Sequence, residues 1–101
     1  MNKILIFGGS GSLGQAIFKE LDPFFDVYCT YYSQKKFKKN KRYFYFDISN
    51  EFDELLNIIK PNLIISSLKG DFNSQITFHE KAINSCENNR IKLLFISSSN
   101  V

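Results

Sequence analysis

Short apolar runs alternate with amphipathic stretches along this chain, and each run has the length of a strand. Residues 3–7 (KILIF) are apolar after the lysine, as in a strand buried on both faces of a sheet. Similar runs, rich in β-branched, aromatic and aliphatic residues, predict strands at 26–32, 42–46, 62–67 and 92–97.

Three of the intervening stretches carry apolar residues at helical spacing. The first helix is predicted to stop at Pro23 and the second at Pro61, because proline cannot continue a helix. Ser49 or Asn50 is the predicted N-cap of the second helix, and the third helix spans 72–88. The apolar positions at helical spacing in the three predicted helices are, in turn, Leu13, Ile17, Phe18 and Leu21; Phe52, Leu55, Leu56 and Ile59; and Ile76, Phe78, Ala82, Ile83 and Cys86.

The order of these elements predicts the fold. Strands that alternate with helices indicate an α/β domain with a parallel sheet and helices on both faces. Right-handed crossovers favour a Rossmann-like doubly wound arrangement, with about five strands in the order 3-2-1-4-5. Residues 1–101 are interpreted as one domain, since no internal repeat divides the chain.

The composition and charge of the chain disfavour several classes of protein. Net charge is +3, but much of the basic charge lies in one loop, 34–42 (QKKFKKNKR), so a nucleic-acid-coating surface is not expected. Cys29, Cys86 and the single His79 do not make a metal site, and the two thiols are expected to be reduced and buried. No stretch has the length of a signal-peptide core or a membrane span, and a cytoplasmic protein is the expectation.

Three glycines follow the first strand, in ILIFGGSGSLG at residues 4–14. Gly8, Gly11 and Gly14 lie between an apolar strand and an amphipathic helix, which is the context of a dinucleotide-binding turn. Such a turn aims backbone N–H groups at a pyrophosphate, and a side chain would block that approach. No Lys-Ser or Lys-Thr follows Gly14, which excludes a P-loop. The alternative is a glycine-rich turn without a ligand.

The spacing GxxGxxG resembles the extended branch of the short-chain dehydrogenase/reductase superfamily. Asp47-Ile48 resembles that family's pair after the third strand, whose Asp meets the adenine. KPNLIISS (60–67) resembles the strand that runs under the cofactor, and FISSSNV (95–101) resembles the fifth-strand segment. Within the branch the chain is most similar to dTDP-4-dehydrorhamnose reductases and their sugar-nucleotide-binding relatives, of which it would be the N-terminal part.

The resemblance implies roles for particular residues. Ser98 stands where the family places the hydroxyl that hydrogen-bonds the substrate carbonyl, and it is the predicted catalytic residue; a polar strand end is the alternative. Ser66-Ser67-Leu68 replaces the family's Asn-Ala-Ala, and Ser99 replaces an acidic residue. The predicted cofactor-binding residues are Gly8, Ser10, Gly11, Ser12, Leu13, Gly14, Tyr31, Tyr32, Ser33, Lys35, Lys36, Asp47, Ile48, Ser66, Ser67, Leu68 and Lys69.

The end of the second strand favours NADP over NAD. An NAD-specific domain usually has a carboxylate there, and this strand ends Thr30-Tyr31-Tyr32-Ser33. Lys35 and Lys36 follow, and a lysine suits a 2′-phosphate. These lysines and the nearby tyrosines also suggest nucleic-acid binding. That hypothesis is disfavoured because alternate residues of a strand face opposite ways, so Tyr28, Tyr31 and Tyr32 are not expected to line one surface.

The leading hypothesis is an NADP(H)-dependent reductase or epimerase that acts on a nucleotide sugar. The family's Tyr-x-x-x-Lys pair lies beyond the fifth strand; Tyr31/Lys35 and Tyr32/Lys36 have its spacing but follow the second strand, at the adenosine end. The 101 residues alone are therefore expected to be inactive. The alternatives are a non-catalytic dinucleotide-binding regulatory domain and a remnant. An uncovered fifth strand would favour self-association.

Overall fold

The computed structural model describes residues 2–8, 11–32, 38–46, 52–67 and 72–96, without the side chains of 72–75. Five strands and three helices lie in this part of the chain. In chain order they are β1 (Lys3–Phe7), α1 (Ser12–Leu21), β2 (Asp26–Tyr31), β3 (Tyr43–Tyr45), α2 (Phe52–Ile59), β4 (Leu63–Ser66), α3 (Phe72–Asn89) and β5 (Lys92–Phe95).

The strands form one sheet in the order β3-β2-β1-β4-β5, and all four pairings are parallel. The predicted doubly wound fold is therefore confirmed. The strands are shorter than the apolar runs predict: β2 ends at Tyr31 rather than residue 32, and β3 has three residues. A run of strand-forming residues extends past the last ladder bond, because pairing depends on the neighbouring strand as well as on propensity.

One face of the sheet is covered by α2 and α3. Phe7 points into this face, where its ring lies about 5 Å from those of Phe46, Phe52 and Phe78 (5.0, 5.1 and 5.1 Å between centroids). These four side chains are all buried, and Phe7 is fully so. Their contacts fix α2 and α3 on the carboxyl half of β1, since edge-to-face and offset ring pairs favour defined geometries.

The opposite face is covered by α1. Ile4 and Ile6 alternate with the residues that face α2 and α3, and they pack with Val27 and Cys29 of β2 under α1. Cys86 belongs to the other core, so the two thiols lie on opposite faces of the sheet; both are free and buried, as expected. Among the described residues, no group of side chains suits a metal ion, and no helix is long and apolar enough to cross a membrane.

Two helices end at residues in the left-handed region. Lys60, with a φ of 55°, follows α2, and Arg90, with a φ of 57°, follows α3. After α3 the N–H of Ile91 returns to the carbonyl of Cys86 at 2.9 Å, a bond that closes the last turn of a helix. The chain turns sharply at both points, which directs β4 and β5 back into the sheet.

Candidate functional site

The glycine turn lies at the carboxyl edge of the sheet, between β1 and α1. Gly8 has a φ of 82°, in the region that L side chains rarely adopt, so glycine is required there by the backbone itself. Gly11 has ordinary extended angles (φ −76°, ψ 170°), and a Cβ at this position would meet the Gly8 carbonyl oxygen at 3.6 Å, a normal contact. The fold therefore leaves room for a methyl group at Gly11, whereas any side chain at Gly8 would strain the backbone.

Gly8 is held by a hydroxyl group of β2 and by another from the residue that follows β4. Its N–H donates to Thr30 Oγ1 of β2 at 2.9 Å. On the other side Ser67 Oγ donates to the carbonyl of Phe7 at 3.0 Å and lies 3.4 Å from that of Gly8. The Gly8 carbonyl also accepts the N–H of Gly11 at 3.2 Å. The polar groups of Gly8 are thus occupied within the protein.

The N-terminus of α1 points toward the same edge. Gly11 is its N-cap and makes no side-chain cap hydrogen bond, and its first turn holds no acidic residue. The first N–H groups of a helix lack intrahelical acceptors and carry partial positive charge. Ser12 and Leu13 are exposed, whereas Gly14 is buried in the helix. This end of α1 therefore offers backbone donors with the local charge that suits an anion.

Tyrosines gather at the carboxyl ends of β2 and β3. Tyr31 meets Tyr45 edge-on, and Tyr32 stacks on Tyr45 with 6.0 Å between centroids and 23° between planes. Tyr28 lies on the opposite face, against Phe44. Strand alternation thus separates Tyr28 from the others, as predicted, but not Tyr31 from Tyr32. Tyr32 follows the last paired residue, so the strand no longer fixes the direction of its side chain.

The structure brings together the predicted site residues that it describes. Gly8, Gly11, Ser12, Leu13, Gly14, Tyr31, Tyr32, Ser66 and Ser67 all lie at the carboxyl edge of β1, β2 and β4 or at the start of α1. Ser66 and Ser67 are buried. The other predicted residues lie outside the described part of the chain: Ser10, Ser33, Lys35, Lys36, Asp47, Ile48, Leu68, Lys69 and Ser98.

Thr30 is a site residue that the sequence analysis did not single out. It is buried, with 2% of its surface exposed, at the next-to-last position of β2. The pairing of Ile6 with Cys29 puts Thr30 beside the end of β1, next to Gly8. The signal in the sequence is a hydroxyl residue in a buried strand, one strand away from the glycine turn. The contact between Thr30 and the glycine turn can be recognised only when the register of β1 and β2 is known.

The strand order reverses at this place. The chain runs outward from β1 to β2 and β3, then crosses back to β4 on the other side of β1. In open parallel sheets, ligands bind outside the carboxyl ends of the strands at such a switch point. The sheet and the glycine turn together define a Rossmann-like doubly wound domain.

Solved structures share this fold. An L-threonine 3-dehydrogenase from Trypanosoma brucei superposes with a TM-score of 0.76 at 16% identity, over 94% of this chain. A candidate epimerase from Bacteroides thetaiotaomicron superposes with a TM-score of 0.69 at 23% identity, over 93% of this chain. The chain covers 36% and 46% of the lengths of these proteins, and at such identities the similarity concerns the fold. No family model and no curated protein matches the chain.

Proposed function

We propose that this chain is the dinucleotide-binding, N-terminal part of an NADP(H)-dependent reductase or epimerase that acts on a nucleotide sugar. The observation that carries the proposal is the turn from Gly8 to Gly11, which joins β1 to the N-terminus of α1 at the switch point of the sheet. The first backbone N–H groups of a helix lack intrahelical acceptors and suit the pyrophosphate of a dinucleotide. Both solved structures named above carry dehydrogenase or epimerase names, which supports the same class.

Gly11 provides the sharpest test, because its Cβ position is free of strain in the protein alone. Calorimetric titration of the 101-residue chain with NADPH and NADH is expected to show binding in the micromolar range, roughly −8 kcal/mol. Gly11→Ala should fold with an unchanged circular dichroism spectrum and should bind both cofactors at least tenfold more weakly, since its methyl group enters the space of the pyrophosphate.

The matched control is Ala16→Val, which adds methyl groups on the exposed side of the same helix. It should leave both dissociation constants unchanged. A wild-type chain that binds neither NADPH nor NADH contradicts the proposal, as does a Gly11→Ala variant that binds as tightly as the wild type.

The preference for NADP rests on Lys35 and Lys36, which follow the non-acidic end of β2 in the sequence. Changing both to alanine should weaken NADPH binding and leave NADH binding unchanged, because only NADPH carries the 2′-phosphate. Lys38 and Lys39 are exposed lysines of the same connection. Their double alanine variant is the control, and it should bind NADPH as the wild type does. Equal loss for the two pairs would mean that charge alone, rather than a phosphate contact, draws the cofactor.

Catalysis would use Ser98 to hydrogen-bond the substrate carbonyl, together with a Tyr-x-x-x-Lys pair supplied by further chain. The bound nicotinamide would supply the hydride. We expect the 101 residues to bind cofactor and not to oxidise NADPH in the presence of a nucleotide 4-ketosugar. Turnover by this chain alone would contradict that expectation. Cofactor binding by a longer protein that also lacks turnover would favour the alternative, a non-catalytic regulatory domain.

Self-association through β5 belongs to the same proposal. Within the described residues β5 pairs only with β4, and Leu94 and Phe95 expose 51% and 39% of their surface on its two faces. Ile76 and Ile83 are also exposed, seven residues apart on α3. Two copies related by a two-fold axis at β5 would pair the free edges of their sheets and bring these apolar side chains close to the partner. Leu94→Lys should make the chain monomeric in light scattering; a wild-type monomer contradicts this.

A further inference from the structure

We infer that Thr30 and Ser67 are positioning residues that hold the glycine turn in its dinucleotide-binding conformation. The inference deepens the proposed function and rests on it. Thr30 Oγ1 accepts the N–H of Gly8, and the Ser67 hydroxyl donates to the carbonyl of Phe7, so both oxygens contact the backbone of the turn. Their contribution to binding is therefore indirect: they fix where the backbone lies.

Thr30 fixes the N–H side of Gly8. Its Oγ1 accepts that N–H at 2.9 Å, and the residue is almost completely buried. The β-branched side chain of a threonine in a strand has few accessible rotamers, so its hydroxyl oxygen is held in place. A buried acceptor at this position holds the peptide plane between Phe7 and Gly8, since the N–H would otherwise lose its partner.

Ser67 fixes the carbonyl side of the same turn. Its backbone N–H donates to the carbonyl of Phe7 at 2.9 Å, as an extension of the ladder between β1 and β4. Its Oγ reaches the same carbonyl at 3.0 Å and the carbonyl of Gly8 at 3.4 Å. The end of β1 is thus clamped from β2 on one side and from β4 on the other.

The hydrogen bonds that hold Gly8 continue to the start of α1. The Gly8 carbonyl accepts the N–H of Gly11 at 3.2 Å, and Gly11 in turn accepts the N–H of Gln15 at 2.9 Å as the N-cap of α1. A shift of Gly8 would therefore shift the start of α1. The N–H of Gly8 is used by Thr30, whereas the first N–H groups of α1 have no intrahelical acceptors and suit a pyrophosphate.

The test compares Thr30→Val with Thr30→Ser in cofactor titrations of the full 101-residue chain. Valine has the shape of threonine without the hydroxyl, and it should weaken NADPH and NADH binding by the same factor, up to about tenfold, because part of the binding energy must then order the turn that the hydrogen bond had held. Serine keeps the hydroxyl and should restore binding to within about twofold. Ser67→Ala should also weaken both cofactors equally, since the pyrophosphate is common to them.

Ser85→Ala is the matched control for a merely structural effect. Ser85 is also a buried hydroxyl residue, but it contacts Asp53 on α2, away from the turn. It should lower the free energy of unfolding without changing either dissociation constant. Thr30→Val that binds like the wild type, or Ser85→Ala that weakens binding as much as Thr30→Val, overturns the inference. A wild-type chain that binds neither cofactor overturns the proposed function, and with it this inference.

Discussion

Ser85 Oγ donates a hydrogen bond to the carboxylate of Asp53, and this bond joins α3 to α2. Asp53 lies in the first turn of α2, where a negative charge also complements the helix dipole. Ser85 is buried, with 7% of its surface exposed, next to Cys86 and the aromatic core. One carboxylate therefore stabilises the start of α2 and fixes its neighbour helix.

Removal of that hydroxyl should destabilise the chain modestly. Ser85→Ala is expected to lower the free energy of unfolding by about 1 kcal/mol, because the bond is partly buried and its acceptor is charged. Urea denaturation followed by circular dichroism measures the change. Asn84→Ala, at an exposed position of the same helix, is the control and should change stability by less than about 0.5 kcal/mol. Equal effects of the two variants would show that the Asp53 contact contributes nothing.

The aromatic cluster should dominate stability. Phe78 has 1% of its surface exposed and contacts the rings of Phe7, Phe52 and Phe46 at 5.1, 5.4 and 6.0 Å between centroids. Phe78→Ala should cost about 3–5 kcal/mol, since it leaves a cavity among these rings. Phe24→Ala removes a phenyl ring that is 71% exposed, and should leave the urea midpoint nearly unchanged. A small loss for Phe78→Ala would mean that the cluster can collapse around the gap.

Cys29 should make stability fall in alkaline solution. Burial raises the pKa of its thiol from 9.0 to about 12, against a smaller opposing effect of the hydrogen bond with Tyr43. The unfolded thiol ionises at lower pH than the folded one, so its contribution is complete below pH 9.0 and is lost as the pH rises toward 12. Urea midpoints measured across this range should decline more steeply for the wild type than for Cys29→Val. Identical slopes would contradict the assignment.

His79 should make the stability of the chain fall in acidic solution. Its ring lies against Phe95, 4.1 Å between centroids, and burial lowers the pKa of the imidazole below its usual 6.5. The folded chain therefore prefers the neutral ring. Stability from this group is complete above pH 6.5 and is lost as the pH falls toward the folded pKa. His79→Gln should flatten the stability profile below pH 6.5. A wild-type profile that is already flat there would refute the prediction.

Much of the fold could be predicted from the sequence because its signals are local. The apolar run that ends at Phe7, the helical stripe from Leu13 to Leu21 and the stops at Pro23 and Pro61 depend only on near neighbours along the chain. The strand order then follows from the handedness of the crossovers, which is a general property of parallel sheets. Burial is less local: Ile76 and Ile83 fit the apolar stripe of α3 but are exposed, because α2 and the sheet cover only one side of that helix.

The sequence by itself determined the glycine turn, its place between a strand and a helix, and hence the candidate site. Only the tertiary structure decided which glycine the backbone requires, since φ is positive at Gly8 and ordinary at Gly11. It also decided that Ser67 is bonded to the turn and that Thr30 completes the clamp. Those contacts join residues 22 and 60 positions apart. Contacts of this kind join strands that are distant in the chain, and the pattern within one strand does not show which residues of another lie beside it.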